Sequence, residues 1–264
     1  LINAWNRYSN GKIIATPHST IRFWDLRYFN DPRCFEGPIN TRMPLPGEIA
    51  INGALQKQNY DVASLSGVQT TDVEALRYMH LNESCDEGVR RKSARDSDFV
   101  ILVMGDYKLE NTITQLRMLK ECLEELPSAP KILFKPHPVS SQPQSLFDNM
   151  EVTVIQDPIE EILPLCDLAI ASNVTTAALD AFLKKIPVIC IFNPSKMNLS
   201  PLKELNSNLF ASSPAELLDK ILLVKENTPI SFCDPKEAFN LDSDLCLWLN
   251  LINNRINDNF EELH

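Results

Sequence analysis

Between residues 98 and 192 the chain alternates short apolar runs with helical patterns, and no other feature limits the fold so strongly. The runs DFVILVMG (98–105), KILFK (131–135), VTVIQ (152–156), DLAIA (167–171) and PVICIF (187–192) read as strands of a parallel sheet. The first is followed by NTITQLRMLKECLEEL, in which Ile113, Leu116, Leu119, Leu123 and Leu126 recur at helical spacing and Asn111 is placed to cap the start. IEEILPLC and TTAALDAFLKK supply two more helices. The resulting order is β-α-β-β-α-β-α-β, with further helices expected near 214–226 and 242–254.

Before about residue 95 the texture is different. Short mixed segments rich in proline and aromatics, IIATPHSTIRFWDLRYF and NDPRCFEGPINTRMPLPGE, precede a helix expected around Glu74 to Leu81. Arg22, Asp25 and Arg27 read as an ion-pair or hydrogen-bond set, and RRKSARDSD (90–98) as a solvated linker. The division expected is therefore 1–95 and 96–264, the second part including the C-terminal helices. Because Leu1 leads almost directly into a strand-like GKIIAT, the chain reads as a processed or truncated product.

A net charge of -10 and a pI near 4.9 argue against a broad basic face for nucleic acid, while leaving room for a local phosphate pocket. Seven cysteines without a CxxC pair read as reduced core residues of a cytoplasmic protein, not as a disulfide frame or a zinc site. No apolar run approaches the roughly 18 residues that span a bilayer, and no signal peptide opens the chain.

In open sheets of this kind ligands bind beyond the carboxyl ends of the strands. Two such ends carry pointed chemistry. After KILFK comes KPHP, in which prolines fix the backbone on both sides of His137. After DLAIA comes SNVTT, which sets Ser172, Thr175 and Thr176 beside the N–H groups of a helix start, a natural place for phosphate. The plain alternatives are a helix cap and a solvated histidine. Asp106 and Tyr107 end the first strand of this region and face the same crevice by the same rule.

KPHP (135–138) with ASNVTTAALDAFLKKIPVICIF (171–192) resembles the C-terminal domain of GT-B-fold glycosyltransferases. The likeness is to bacterial capsule, sialic-acid and Kdo transferases with a His-Pro motif and to poly(glycerol-phosphate) polymerases. HSTIRFWDLRYF and LVMGDYKLENTITQLRMLKE resemble surface-carbohydrate (O-antigen type) biosynthesis proteins. The resemblance implies an α/β, GT-B-like chain: a Rossmann-type parallel-sheet domain that binds a nucleotide-sugar, plus part of a second, acceptor-side α/β domain. It implies transfer of a sugar from a nucleotide-activated donor to a surface polysaccharide or lipid-linked glycan, with no cofactor and no bound metal. His137 would contact the donor phosphate; Lys135, Ser172, Asn173, Thr175 and Thr176 would complete the phosphate and nucleotide site, and Asp180 would meet the ribose.

This sequence departs from that pattern in two places. Ile186 stands where relatives often have glycine, so the turn there must differ. The acidic-acidic-glycine motif that supplies the base in sialyl-type enzymes is not evident. His18 in ATPHST is then the candidate base, by likeness to a His-Gly-Thr segment of the polymerases, although Ser19 replaces the glycine. Peripheral association with the inner face of a membrane would suit a lipid-linked acceptor, yet no amphipathic basic helix announces it. A GT-B-type nucleotide-sugar epimerase and a non-catalytic polysaccharide-assembly protein are the competing readings.

Overall fold

The structure, a computed structural model, describes residues 2–9, 11–17, 19–21, 27–28, 31–38, 41–63, 67–82, 99–140, 147, 150–203, 205 and 209–261. His18, Arg22, Asp25 and the 90–98 segment lie outside the described residues. The chain divides into two compact units, Leu1–Ser84 with Asp234–His264, and Cys85–Cys233. The stretch from Asp234 onward thus groups with the first unit, whereas the sequence reading set it with residues 96–233.

The first unit opens with α1 (Ile2–Tyr8) and builds a parallel sheet from β1 (Ile14–Ala15), β2 (Glu48–Ile51) and β3 (Gln69–Asp72), adjacent in that order, with α2 (Ala54–Ala63) between the last two. β2 is buried throughout, whereas β3, reading QTTD, is only half covered. Buried amides hold what so little sheet cannot. Gln56 accepts the Asn52 N–H at 3.0 Å and donates to the Ser19 carbonyl at 2.9 Å. Asn59, one turn further along α2, donates to the Ile21 carbonyl at 2.9 Å. The helix expected from Glu74 is a 3₁₀ helix over Leu76–Leu81, leaving Glu74 outside it.

The second unit is the doubly wound sheet the sequence announces. Its elements are β4 (Val100–Met104), α3 (Leu109–Glu125), β5 (Lys131–Lys135), β6 (Val152–Val154), α4 (Ile159–Ile162), β7 (Leu168–Ser172), α5 (Ala177–Leu183), β8 (Val188–Ile191), β9 (Phe210–Ala211) and α6 (Pro214–Lys225). The strand order is β6-β5-β4-β7-β8-β9, every pairing parallel. Alternate residues Ile101, Val103, Ile132, Phe134, Leu168, Ile170, Ile189 and Ile191 pack with Leu116, Leu119, Leu217 and Ile221 of α3 and α6. The intervening Leu102, Leu133, Ala169, Ala171, Val188 and Cys190 are buried as well, which is why these strands read as continuous apolar runs.

Two helix expectations need correction. α3 begins at Leu109, so Asn111 lies inside its first turn and Lys108 takes the cap position without a side-chain bond. Ile113 is exposed; Thr112 and Gln115 occupy the buried face beside Leu116 and Leu119. At the far end of α5 the sequence departure resolves. Ile186 N–H reaches the Ala181 carbonyl and Lys185 N–H the Phe182 carbonyl, both at 3.0 Å, while Lys185 sits at φ 60°. That is a Schellman stop with lysine in the left-handed position glycine usually fills, one residue before Ile186.

The chain then returns to the first unit through α7 (Pro235–Ala238) and α8 (Cys246–Glu261). Gly53 has φ 151°, and a Cβ there would lie 2.4 Å from the Ala238 carbonyl oxygen, so only glycine admits this contact. Phe239 stacks on Tyr78 at 4.1 Å between ring centroids. Glu74, buried, accepts the Leu247 N–H at 2.6 Å and the Trp248 N–H at 2.9 Å, and its carbonyl takes the Trp248 indole N–H at 2.9 Å. A carboxylate from the first 84 residues thus caps the C-terminal helix, satisfying donors that its own sequence leaves open.

Cys122, Cys166 and Cys190 are buried, as expected of core residues, but Cys34 and Cys246 are exposed and are not core residues. Burial raises the three interior thiols to about 11, about 12 and about 12 respectively. Among the described residues no helix is long and apolar enough to cross a membrane.

Candidate active site at the carboxyl end of the second sheet

β4 is the first strand of the second unit and lies in the middle of its sheet. From it the chain winds outward through β5 and β6, then returns to β7 on the other side and winds out through β8 and β9. The reversal makes the carboxyl ends of β4 and β7 a topological switch point, where open α/β sheets leave a crevice. The KPHP turn follows β5 and the SNVTT segment begins with the last residue of β7, so the two expected segments flank the Gly105–Lys108 turn at the end of β4.

Hydrogen bonds tie both flanks to that turn. Gly105 donates its N–H to the Lys135 carbonyl at 2.9 Å. A Cβ on Gly105 would come within 3.2 Å of the His137 nitrogen, the Lys135 oxygen and the Phe134 ring, so the absence of a side chain lets the turns close up. On the other flank the Ser172 hydroxyl donates to the Asp106 carboxylate, and both residues are buried, at 3% and 0% exposure. Asp106 also accepts the Lys108 N–H at 2.8 Å and sends its own N–H to the Thr112 hydroxyl at 2.9 Å. Gln115, also buried, donates to the Met104 carbonyl at 3.2 Å.

His137 is half-buried in a turn closed by the Ser140 N–H on the His137 carbonyl at 3.0 Å. Its Nδ1 accepts a long bond from Val139 N–H at 3.4 Å, which puts the proton of the neutral ring on Nε2. Tyr107 lies edge-on to the imidazole at 6.3 Å between ring centroids and is 52% exposed. The Lys108 ammonium lies 5.6 Å from the Tyr107 ring. An aromatic ring, an imidazole and an ammonium group thus stand around one strand end of an acidic protein.

The remaining expected residues have definite places. Lys135, half-buried, donates to the Gln156 carbonyl at 3.0 Å, beyond the end of β6. Asn173 donates to the Met197 carbonyl at 3.2 Å. Thr175 and Thr176 are half-buried ahead of α5, and Thr176 makes no side-chain capping bond although it takes the cap position. Asp180 is half-buried within α5. Ser172 differs from the rest because its hydroxyl donates to Asp106 and accepts the Val174 N–H at 3.3 Å. Thr112 and Gln115 were legible only as helix residues; no pattern marks a polar pair turned toward a strand end. Among the described residues no three His, Cys, Asp or Glu side chains are grouped to hold a metal.

No protein-family profile matches the chain, and no curated protein matches it. Solved structures do. A glycosyltransferase from Rickettsia africae is similar at 14% identity and TM-score 0.54, over 94% of this chain and 71% of that one. The GtfA/B complex is similar at 11% identity and TM-score 0.52, over 96% and 54%. UGT89C1 of Arabidopsis thaliana follows at 13% identity and TM-score 0.50, over 86% and 61%. The fold is of the GT-B type. At such identities the likeness concerns architecture, and the chain spans only 54% and 61% of the second and third of these proteins. An α/β, GT-B-like fold with a Rossmann-type parallel sheet is what the resemblance implied.

Proposed function

We propose that the chain transfers a sugar from a nucleotide-activated donor to a growing surface polysaccharide or lipid-linked glycan. The observation that carries this reading is the placement of the His137 turn and the Ser172–Thr176 segment on the two strands that border β4. The leaving phosphate of the donor would sit over the end of β4, receiving Nε2–H of His137 and the hydroxyls of Thr175 and Thr176. Such preset donors stabilise charge as the glycosidic bond to phosphate breaks, and loss of one typically lowers the rate by about 10²–10³. Lys135 and Asn173 shape the two flanks, and Asp180 is assigned to the ribose.

In this proposal the charge is met by side chains and backbone N–H groups without a bound metal ion, and His18 accepts the proton of the attacking hydroxyl. Calorimetric titration with UDP, CMP, CDP and GDP tests the reading: one nucleotide should bind, and H137A should weaken that binding by about tenfold or more. An H137A protein with unchanged affinity and turnover defeats it. Incubation with donor alone separates transfer from epimerisation, since an epimerase converts its substrate with no acceptor present.

A further inference from the structure

We infer that Asp106 is a positioning residue that holds the Ser172–Thr176 segment in its ligand-binding form. Asp106, Thr112, Gln115 and Ser172 are buried together beneath the end of β4, where the strands above them are otherwise sealed by apolar side chains. A carboxylate in such a place is destabilising relative to an apolar residue of similar size unless its hydrogen bonds are directional and complete. Here they are directed to two different segments. One carboxylate oxygen takes the Lys108 N–H and fixes the turn after β4; the other takes the Ser172 hydroxyl at the end of β7. Ser172 in turn accepts the Val174 N–H, so the bonds run from Asp106 through Ser172 into the backbone ahead of Thr175 and Thr176.

Gln115 sharpens the point, because its side-chain oxygen is buried with no hydrogen-bond partner among the described residues. A buried carboxylate, amide and hydroxyl at one strand end are more than joining β4 to β7 requires. Register alone already joins them: Ile101, Leu102 and Val103 pair with Leu168, Ala169 and Ile170. What the carboxylate adds is a fixed orientation for the residues after β7. Ser172 then acts through the backbone, and Thr175 and Thr176 are left to meet the ligand.

This inference rests on the reading of that segment as a phosphate site, so two measurements are needed. Hydrogen exchange of the peptide covering 172–176 should quicken about tenfold in D106N and in S172A, and no further in the double variant. Titration with whichever of UDP, CMP, CDP and GDP the unaltered protein binds should show about tenfold weaker affinity in each single variant and no further loss in the double, with S172A still folded by circular dichroism at the temperature of the titration. Exchange at the unaltered rate in both variants overturns the inference, as does faster exchange with unchanged affinity. An unaltered protein that binds none of the four nucleotides counts against the site reading instead, and the exchange rates still decide whether Asp106 holds the segment. Should D106N fail to fold, S172A alone decides, since it removes the same bond without burying a new group.

Discussion

The two sheets solve the same problem with different materials. In the second unit, strands such as VILVM and LAIAS are buried on both faces, and hydrophobic burial sets register and order. In the first, β1 has two residues and β3 is half exposed, so the backbone is held by Gln56, Asn59, Glu74 and Asn240 reaching from one segment to the carbonyls and N–H groups of another. Buried polar groups follow the same division. In the first unit Thr20, Glu48, Asn52, Gln56, Asn59 and Glu74 are spread through the structure; in the second, Asp106, Thr112, Gln115 and Ser172 gather at one strand end, and Ser200 lies apart from them beside Cys190. A polar interior is scaffolding in one unit and marks the candidate site in the other.

All three tryptophans, Trp5, Trp24 and Trp248, belong to the sequence of the first unit, so indole fluorescence follows that unit while circular dichroism follows both. F134A should have the largest effect, about 3–5 kcal/mol, because Phe134 is fully buried and packs edge-on to Phe147. The loss should show in the dichroism transition and leave the fluorescence midpoint in place; a matching shift in both would break the contrast between the units. E74A reverses the pattern. Removing the carboxylate that receives Leu247 and Trp248 should cost about 2–3 kcal/mol, read by fluorescence. Q56L should cost about 2 kcal/mol by the same readout, since it leaves the Asn52 N–H and the Ser19 carbonyl without this partner.

A smaller change has the opposite sign. K185G should stabilise the second unit by about 0.5–1 kcal/mol, because glycine relieves the left-handed backbone while adding freedom to the unfolded chain. Smallest at neutral pH is the effect of the interior thiols. Cys122, Cys166 and Cys190 stay protonated in the fold when the unfolded chain's thiols, near 9.0, have ionised. Their stabilisation is therefore intact below about pH 9 and is lost as pH rises toward 11–12. Alkaline unfolding should accordingly shift the dichroism transition before the fluorescence one, and alkylation of the native protein should reach Cys34 and Cys246 while sparing those three.

The second sheet was legible because its strands are apolar and its helices periodic. Alternation of 2.0 and 3.6 residues survives in a sequence whenever burial on a fixed face selects the side chains. The same logic failed at Ile113, where the start of α3 turns Thr112 inward to the Asp106 N–H and Gln115 to the Met104 carbonyl and leaves the isoleucine outside. Of the site, His137 and the Ser172–Thr176 segment stood out by residue type and by their place after strands. That Ser172 is committed to Asp106, and Lys135 to Gln156, was not written in either segment, because each bond joins residues far apart in the chain.

What the sequence determined alone is the class of fold and the strand ends at which chemistry can occur, since both depend on local periodicity and on proline, serine and threonine at particular turns. What the tertiary structure decided is ownership: that residues 234–264 group with the first unit, and that the aspartate at the crevice is buried and committed to Ser172. Glu74 capping a helix 173 residues away and Asp106 holding a serine 66 residues away are hydrogen bonds whose partners come together only when the chain closes on itself.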